Sequence, residues 1–177
     1  MKIGVLLGSF DPPHMGHLHM ANTILNKELV DKIMFVPTVQ NPWKENSTDF
    51  KIRCFMIQMA LNDMDNCYLS TVESRISEPY YSYKTLELLQ QEYPNDELYL
   101  IVGSDLDIKN WNKGQWIIDN FKIITIARNV LTGSEDISEM WNISSTEIRE
   151  LVKKNKQLYP LVPKVISQYI KQFNLYK

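Results

Sequence analysis

Two histidines three positions apart, His14 and His17, stand just after a glycine and a pair of prolines in the stretch KIGVLLGSFDPPHMGHL, residues 2–18. On a helix that spacing places both rings on one side, one turn above the other, where both reach a single anion. The plainer reading of such a pair is one helix cap and one packed surface ring. The coincidence of the pair with a glycine turn and a preceding apolar run favours an anion site. A metal reading competes, since His14, His17 and His19 fall within six residues. Positions 17 and 19 do not share a helix face, and no Cys or Glu has ligand spacing nearby, so no resident metal is expected. Further along lie the cations Lys44, Arg128 and Arg149 and the hydroxyls Ser144, Ser145 and Thr146. Phosphates suit this inventory of donors.

The elements that must bring these residues together can be read from periodicity. Residues 3–7 form a continuous apolar run, as in a strand buried on both faces. The run stops at Gly8, and Pro13 suits the first turn of a helix whose apolar face is Leu18, Ala21, Ile24 and Leu25. A helix starting at the carboxyl end of a buried strand aims its N–H groups and the positive end of its dipole at the crevice where α/β proteins take phosphates. Residues 32–36, 68–72, 98–102 and 122–127 supply four more strands. Helices are predicted over 49–64, with Ile52, Phe55, Met56, Met59 and Ala60 inward, over 83–91 with Ser82 as N-cap, over 117–121, from a capping box at Ser144 to Glu147, and over 163–173. Residues 38–49 and 129–140 read as loops.

Strand and helix alternate throughout, which implies an α/β fold with a single doubly wound parallel sheet. In such a sheet the ends of the first and fourth strands and the helix after the fifth meet at one crevice, bringing Gly8 to His17, Gly103 to Asp105 and Ser144 to Arg149 together. Asp105 has two readings, a cap for the next helix or a ligand contact. Trp111 likewise is either core packing or a ring for stacking.

A chain of 177 residues suits one domain over 1–177, with 44% hydrophobic and 23% charged residues typical of a soluble globular protein. Its net charge of −2 gives no reason to expect nucleic acid, and no stretch is long enough to span a bilayer. Cys54 and Cys67 form no CxxC pair, and the opening apolar run is too short for a signal peptide, so a cytoplasmic setting is expected. The oligomeric state stays open, a homo-oligomer included. Neither G-x-x-x-x-G-K-[ST] nor G-x-G-x-x-G occurs, and no Ser-His-Asp set or acid pair suggests hydrolysis.

GSFDPPHMGHL resembles the first signature of the HxGH nucleotidyltransferase superfamily, and ISSTEIR, residues 143–149, resembles its second. Within it the chain is most similar to bacterial nicotinate-nucleotide adenylyltransferases, over nearly its whole length. The resemblance implies a Rossmann-like fold and adenylyl transfer from ATP to nicotinate mononucleotide, giving deamido-NAD and pyrophosphate in NAD biosynthesis. Mg²⁺ would enter with ATP. The implied catalytic residues are His14, His17, Lys44 and Arg149. ATP would be bound by Gly8, Ser9, Phe10, His14, His17, Gly103, Ser144, Ser145, Thr146 and Arg149, and the mononucleotide by Asp11, Tyr81, Thr85, Asp105, Trp111 and Arg128. Trp43 stands where the family has His, and Arg128-Asn129 lacks the family's Pro and Gly. The alternatives are nicotinamide mononucleotide as acceptor, phosphopantetheine adenylyl transfer, cytidylyl transfer, or a nucleotide sensor without turnover.

Overall fold

The computed structural model describes residues 1–40, 47–126 and 143–177. Five strands form one parallel sheet: β1 (Lys2–Gly8), β2 (Lys32–Pro37), β3 (Cys67–Leu69), β4 (Glu97–Gly103) and β5 (Lys122–Ile126). Their order in space is β3-β2-β1-β4-β5, so the winding reverses between β1 and β4. Four helices connect or follow them in the first part of the chain: α1 (Met15–Asn26), α2 (Phe50–Ala60), α3 (Ser82–Glu92) and α4 (Gly114–Asn120). Two more close the described chain, α5 (Ser145–Lys153) and α6 (Lys164–Gln172). The doubly wound α/β fold expected from the sequence is therefore present.

Side chains alternate across the strands, and each face finds its own helices. Ile3, Val5, Met34, Val36, Leu98, Leu100 and Val102 pack against Leu86 and Leu89 of α3 and Ile117 of α4. Leu6, Ile33, Phe35 and Ile101 face the other way, onto Leu18, Ala21 and Ile24 of α1 and Ile57 of α2. A third cluster joins Met56 of α2 to Ile148 and Val152 of α5 and Ile166 and Ile170 of α6. Register aligns Gly8 with Pro37 and Gly103 with Ile126, so the carboxyl ends of four strands share one edge. Among the described residues no helix is long and apolar enough to cross a membrane.

Several boundaries differ from those read in the sequence. The third strand is shorter, and Val72, expected in it, opens a 3-10 turn, Val72–Arg75, that carries Glu73 inward. As the edge strand it pairs only with β2, so little holds it extended beyond Leu69. α2 presents Arg53, Cys54, Met56 and Ile57 to the interior, while Phe55, expected in the core, is 49% exposed and meets the Tyr169 ring at 5.4 Å. Ile52, Met56, Met59 and Ala60 pack as expected, and the buried face is wider than apolar spacing predicts because it also takes in Arg53, Cys54 and Ile57. The N-cap of α3 is Tyr81, with Ser82 already helical. α4 begins at Gly114, where a Cβ would lie 1.9 Å from the Ile108 carbonyl oxygen, an approach only glycine permits.

Candidate active site

The end of β1 runs into a tightly built turn. Phe10 holds φ at 47°, a region unusual for a bulky residue, and its ring lies buried beneath Gly8, within 3.1 Å of where a Gly8 Cβ would be. The same ring meets Phe35 at 5.5 Å and the edge of His17 at 4.8 Å. Strain of this kind persists only where the surroundings over-determine it, and here the glycine and two aromatic neighbours do so.

Helix α1 starts later than expected. Met15 is its first residue, His14 is the extended N-cap, and Pro13 lies outside. The two imidazoles still meet, because N-cap and third helical residue stack with centroids 3.7 Å apart. The His14 backbone N–H donates to His17 Nδ1 at 3.2 Å. A ring that accepts at Nδ1 carries its proton on Nε2, so His17 is a fixed Nε2–H donor. Not every N–H at this helix start faces the crevice, however. Met15 donates to the Leu161 carbonyl at 2.9 Å, so part of the end is spent on holding the neighbouring segment.

The second signature meets the first directly. Ser144 caps α5 by accepting from the Glu147 backbone N–H at 3.1 Å, one of the two bonds of the capping box read from the sequence. Ser145 Oγ donates to the Pro12 carbonyl at 2.9 Å. Arg149 donates from Nη1 to the Asp11 carbonyl at 2.7 Å and from Nη2 to Thr146 Oγ1 at 3.1 Å. Since Ser144 and Thr146 accept these bonds, each keeps a hydroxyl proton to donate.

Between the two helix starts opens a cavity of about 200 Å³, lined on one side by Ser9, Phe10, His14 and His17 and on the other by Ser144, Ser145 and Thr146. Gly16, Met20, Ile126 and Ile143 complete its described wall. The sequence did not assign these four to the site, although Gly16 lies inside the first signature and Ile143 opens the second. Seven of the ten residues expected around ATP thus share one cavity. Gly8 lies over the Phe10 ring, Arg149 donates to the Asp11 carbonyl, and Gly103 ends β4.

The residues expected around the mononucleotide are more scattered. Asp11 is buried, with Oδ1 accepting from the Tyr176 hydroxyl at 2.7 Å and Oδ2 from the Thr48 N–H at 3.1 Å. Thr85 is fully buried and donates to Glu73 at 3.1 Å. Asp105 is exposed in the turn after β4, and the cap of the next 3-10 turn is Asp107, which accepts from Lys109 N–H. Trp111 is half-buried and packs against the core cluster, which bears out its packing reading and leaves part of the residue accessible. Tyr81 stands at the start of α3 with its ring 6.1 Å from that of Tyr83. Trp43, Lys44 and Arg128 lie outside the described residues.

Sequence reasoning missed a buried polar layer beneath the site. Arg53, 1% exposed, donates to the carbonyls of Ser9, Thr38, Val39 and Thr48 at 2.7 to 2.9 Å. Glu73, equally buried, accepts from the Val39 N–H at 2.9 Å and from Thr85. Burial pushes the Glu73 carboxyl up to about 7, against the opposing pull of these two bonds and of Arg53. A carboxyl raised from 4.5 to about 7 on folding stabilises the protein fully below the unfolded value and loses that contribution as pH rises through 7. The span corresponds to on the order of 3 kcal/mol. Glu73→Gln should therefore flatten the pH dependence of stability, with wild type losing ground to the variant between about pH 5 and pH 8. Urea unfolding at both pH values checks this; equal slopes for the two proteins would refute it.

The comparisons with known proteins agree with this geometry. Residues 5–151 match the cytidylyltransferase-like family model. The nicotinate-nucleotide adenylyltransferase of Bacillus subtilis is 35% identical over 99% of this chain and 98% of its own length. A probable nicotinate-nucleotide adenylyltransferase of Flavobacterium johnsoniae is 34% identical over the full length of both. The chain belongs to the nicotinate-nucleotide adenylyltransferase family. Among solved structures, the nicotinic acid mononucleotide adenylyltransferase of Plasmodium falciparum, complexed with NaAD, superposes with a TM-score of 0.79 over 99% of this chain and 97% of that one. At 24% identity that likeness bears on the fold.

Proposed function

We propose that the chain transfers the adenylyl group of ATP to nicotinate mononucleotide, forming deamido-NAD and pyrophosphate in NAD biosynthesis. The observation that carries this reading is the cavity between two helix starts, with stacked His14 and His17 on one wall and three hydroxyls on the other, in a chain of this family. The mononucleotide phosphate oxygen attacks the α-phosphorus of ATP in line, and the bond to the bridging oxygen breaks as pyrophosphate leaves. No protein nucleophile is required, so positioning and charge stabilisation carry the rate.

In this scheme His17 Nε2–H donates to the α-phosphate oxygens, and His14 lies beside the leaving pyrophosphate. Ser144, Ser145, Thr146 and Arg149 hold the outer phosphates, with Lys44 adding charge, while Gly8, Ser9, Phe10 and Gly103 shape the nucleotide's path. Tyr81, Asp105, Trp111 and Arg128 are assigned to the mononucleotide, with the buried Asp11 and Thr85 as supports. Mg²⁺ would enter with ATP, carried mainly by its phosphates. The whole of residues 1–177 acts as one domain, with the cytoplasm as its setting.

Purified protein with Mg²⁺-ATP should release pyrophosphate with nicotinate mononucleotide and do so faster than with nicotinamide mononucleotide. Release with phosphopantetheine alone, or with no acceptor, would overturn the proposal.

A further inference from the structure

Tyr176 follows α6, and no signature residue lies near it in the sequence. Its backbone holds φ at 65°, in the left-handed region, and its ring packs with the cluster shared by α2, α5 and α6. That conformation turns the hydroxyl onto Asp11 Oδ1, 2.7 Å away and 165 positions earlier in the chain. Burial holds the phenol well above its ordinary range, so the group is a permanent donor. Asp11 itself is 4% exposed and makes three bonds that run in different directions. Its carboxylate accepts from Tyr176 and from the N–H of Thr48, just before α2, while its carbonyl accepts from Arg149 of α5. The next carbonyl, of Pro12, accepts from Ser145, and two residues on comes His14. One turn therefore carries the stacked histidines, anchors the second signature, and is itself held by a carboxylate that Tyr176 completes.

We propose that Tyr176 is a positioning residue for the adenylyl transfer assigned above: through Asp11 it fixes the turn that sets His14, His17 and Arg149 around the nucleotide. The hydroxyl meets the turn at the Asp11 carboxylate, outside the residues that line the cavity. The contact could serve stability only. Two features argue otherwise. The ring alone would serve packing, yet the hydroxyl is spent on the carboxylate of the first signature, whose residue does not line the cavity. The same residue's carbonyl receives Arg149, so a shift of Asp11 moves both walls of the site.

The test compares wild type with Tyr176→Phe, which keeps the ring and removes the hydroxyl, and with Asp11→Asn. The turnover number of Tyr176→Phe should fall roughly tenfold to a hundredfold, the scale of small misplacement at a reacting centre, with KM for either substrate little changed. Loss of one bond to a buried carboxylate in a chain of this size should lower the unfolding temperature by roughly 3 to 12 °C, so turnover is compared below the transition of each variant. Tyr176→Phe combined with Asp11→Asn should lose no more than the worse single variant, as expected when both act through one contact. Protein labelled with ¹⁵N-histidine gives a reading independent of activity: the His14 and His17 ring signals should move in Tyr176→Phe while His19 stays. Wild type inactive with every acceptor would overturn the function assigned above, and the histidine spectra would still decide this inference. Turnover equal to wild type, unchanged His14 and His17 signals, or a loss explained wholly by unfolded protein would overturn it.

Discussion

His17→Ala should lose turnover by roughly 10² to 10³ while KM for ATP and for mononucleotide changes little, the pattern of a donor whose bond strengthens only as charge develops. The geometry gives the reason. His17 Nδ1 is occupied by the His14 backbone N–H at 3.2 Å, which leaves Nε2 with the proton and turns it into a donor of fixed direction. The stacked His14 ring on one side and the Phe10 edge on the other leave the imidazole no freedom to turn away. An aimed, pre-organised donor does not reorganise as the transition state forms, and such donors supply the largest single contributions to transfer reactions. His17→Asn is the informative companion. Asn at this position can accept the His14 N–H through its carbonyl oxygen, and its shorter side chain brings no donor as far into the cavity. It should keep the helix start and still lose most of the turnover. Steady-state pyrophosphate release, with a thermal melt of each variant, checks both. Normal turnover in His17→Ala would mean that the ring only packs the turn.

The sheet and the meeting of the two signatures at one cavity were legible because each rests on local signals. Apolar runs ending in Gly8 and Gly103 mark strands that stop at one edge, and the capping pattern at Ser144 and Glu147 marks the start of α5. Two such starts facing a common crevice follow from right-handed crossovers alone. What the pattern could not show is the polar layer below. Arg53 sits at a position that helical periodicity assigns no special place, and an arginine in a predicted amphipathic helix reads as a solvated charge. Its role depends on four carbonyls from three separate segments, a convergence visible only in three dimensions. Phe55 was assigned inward for the converse reason, since spacing cannot tell which of two overlapping stripes the core accepts. The same limit applies to Asp11. Its place in the signature is plain in sequence, whereas its partner Tyr176 is 165 positions away and marked by nothing local.

Arg53→Ala should destabilise the protein by roughly 3 to 5 kcal/mol, the range for breaking a buried, fully bonded charge. Two effects oppose each other. Burial disfavours the guanidinium and lowers its pKa, a cost of several kcal/mol that removal of the side chain relieves. Against it stand four bonds from a charged donor, each worth about 1.5 to 3 kcal/mol, and four carbonyls that would be left without that donor in a dry interior. Four bonds outweigh one desolvation. Arg53→Met separates the terms, since it fills the space and removes the charge while orphaning the same carbonyls; a loss comparable to that of alanine would show that the carbonyls dominate. Arg53→Lys keeps the charge but offers three donors from a single point, which cannot match four oxygens contributed by the Ser9 turn, the stretch after β2 and the approach to α2, so it should recover only part of the loss. Because one of those oxygens belongs to Ser9, which lines the cavity, all three variants should also lower turnover measured on the folded fraction. Urea unfolding with activity measured beside it reads both effects. A change below about 1 kcal/mol in Arg53→Ala would mean that water takes over the guanidinium's bonds, and that the layer beneath the site is not the rigid support its geometry implies.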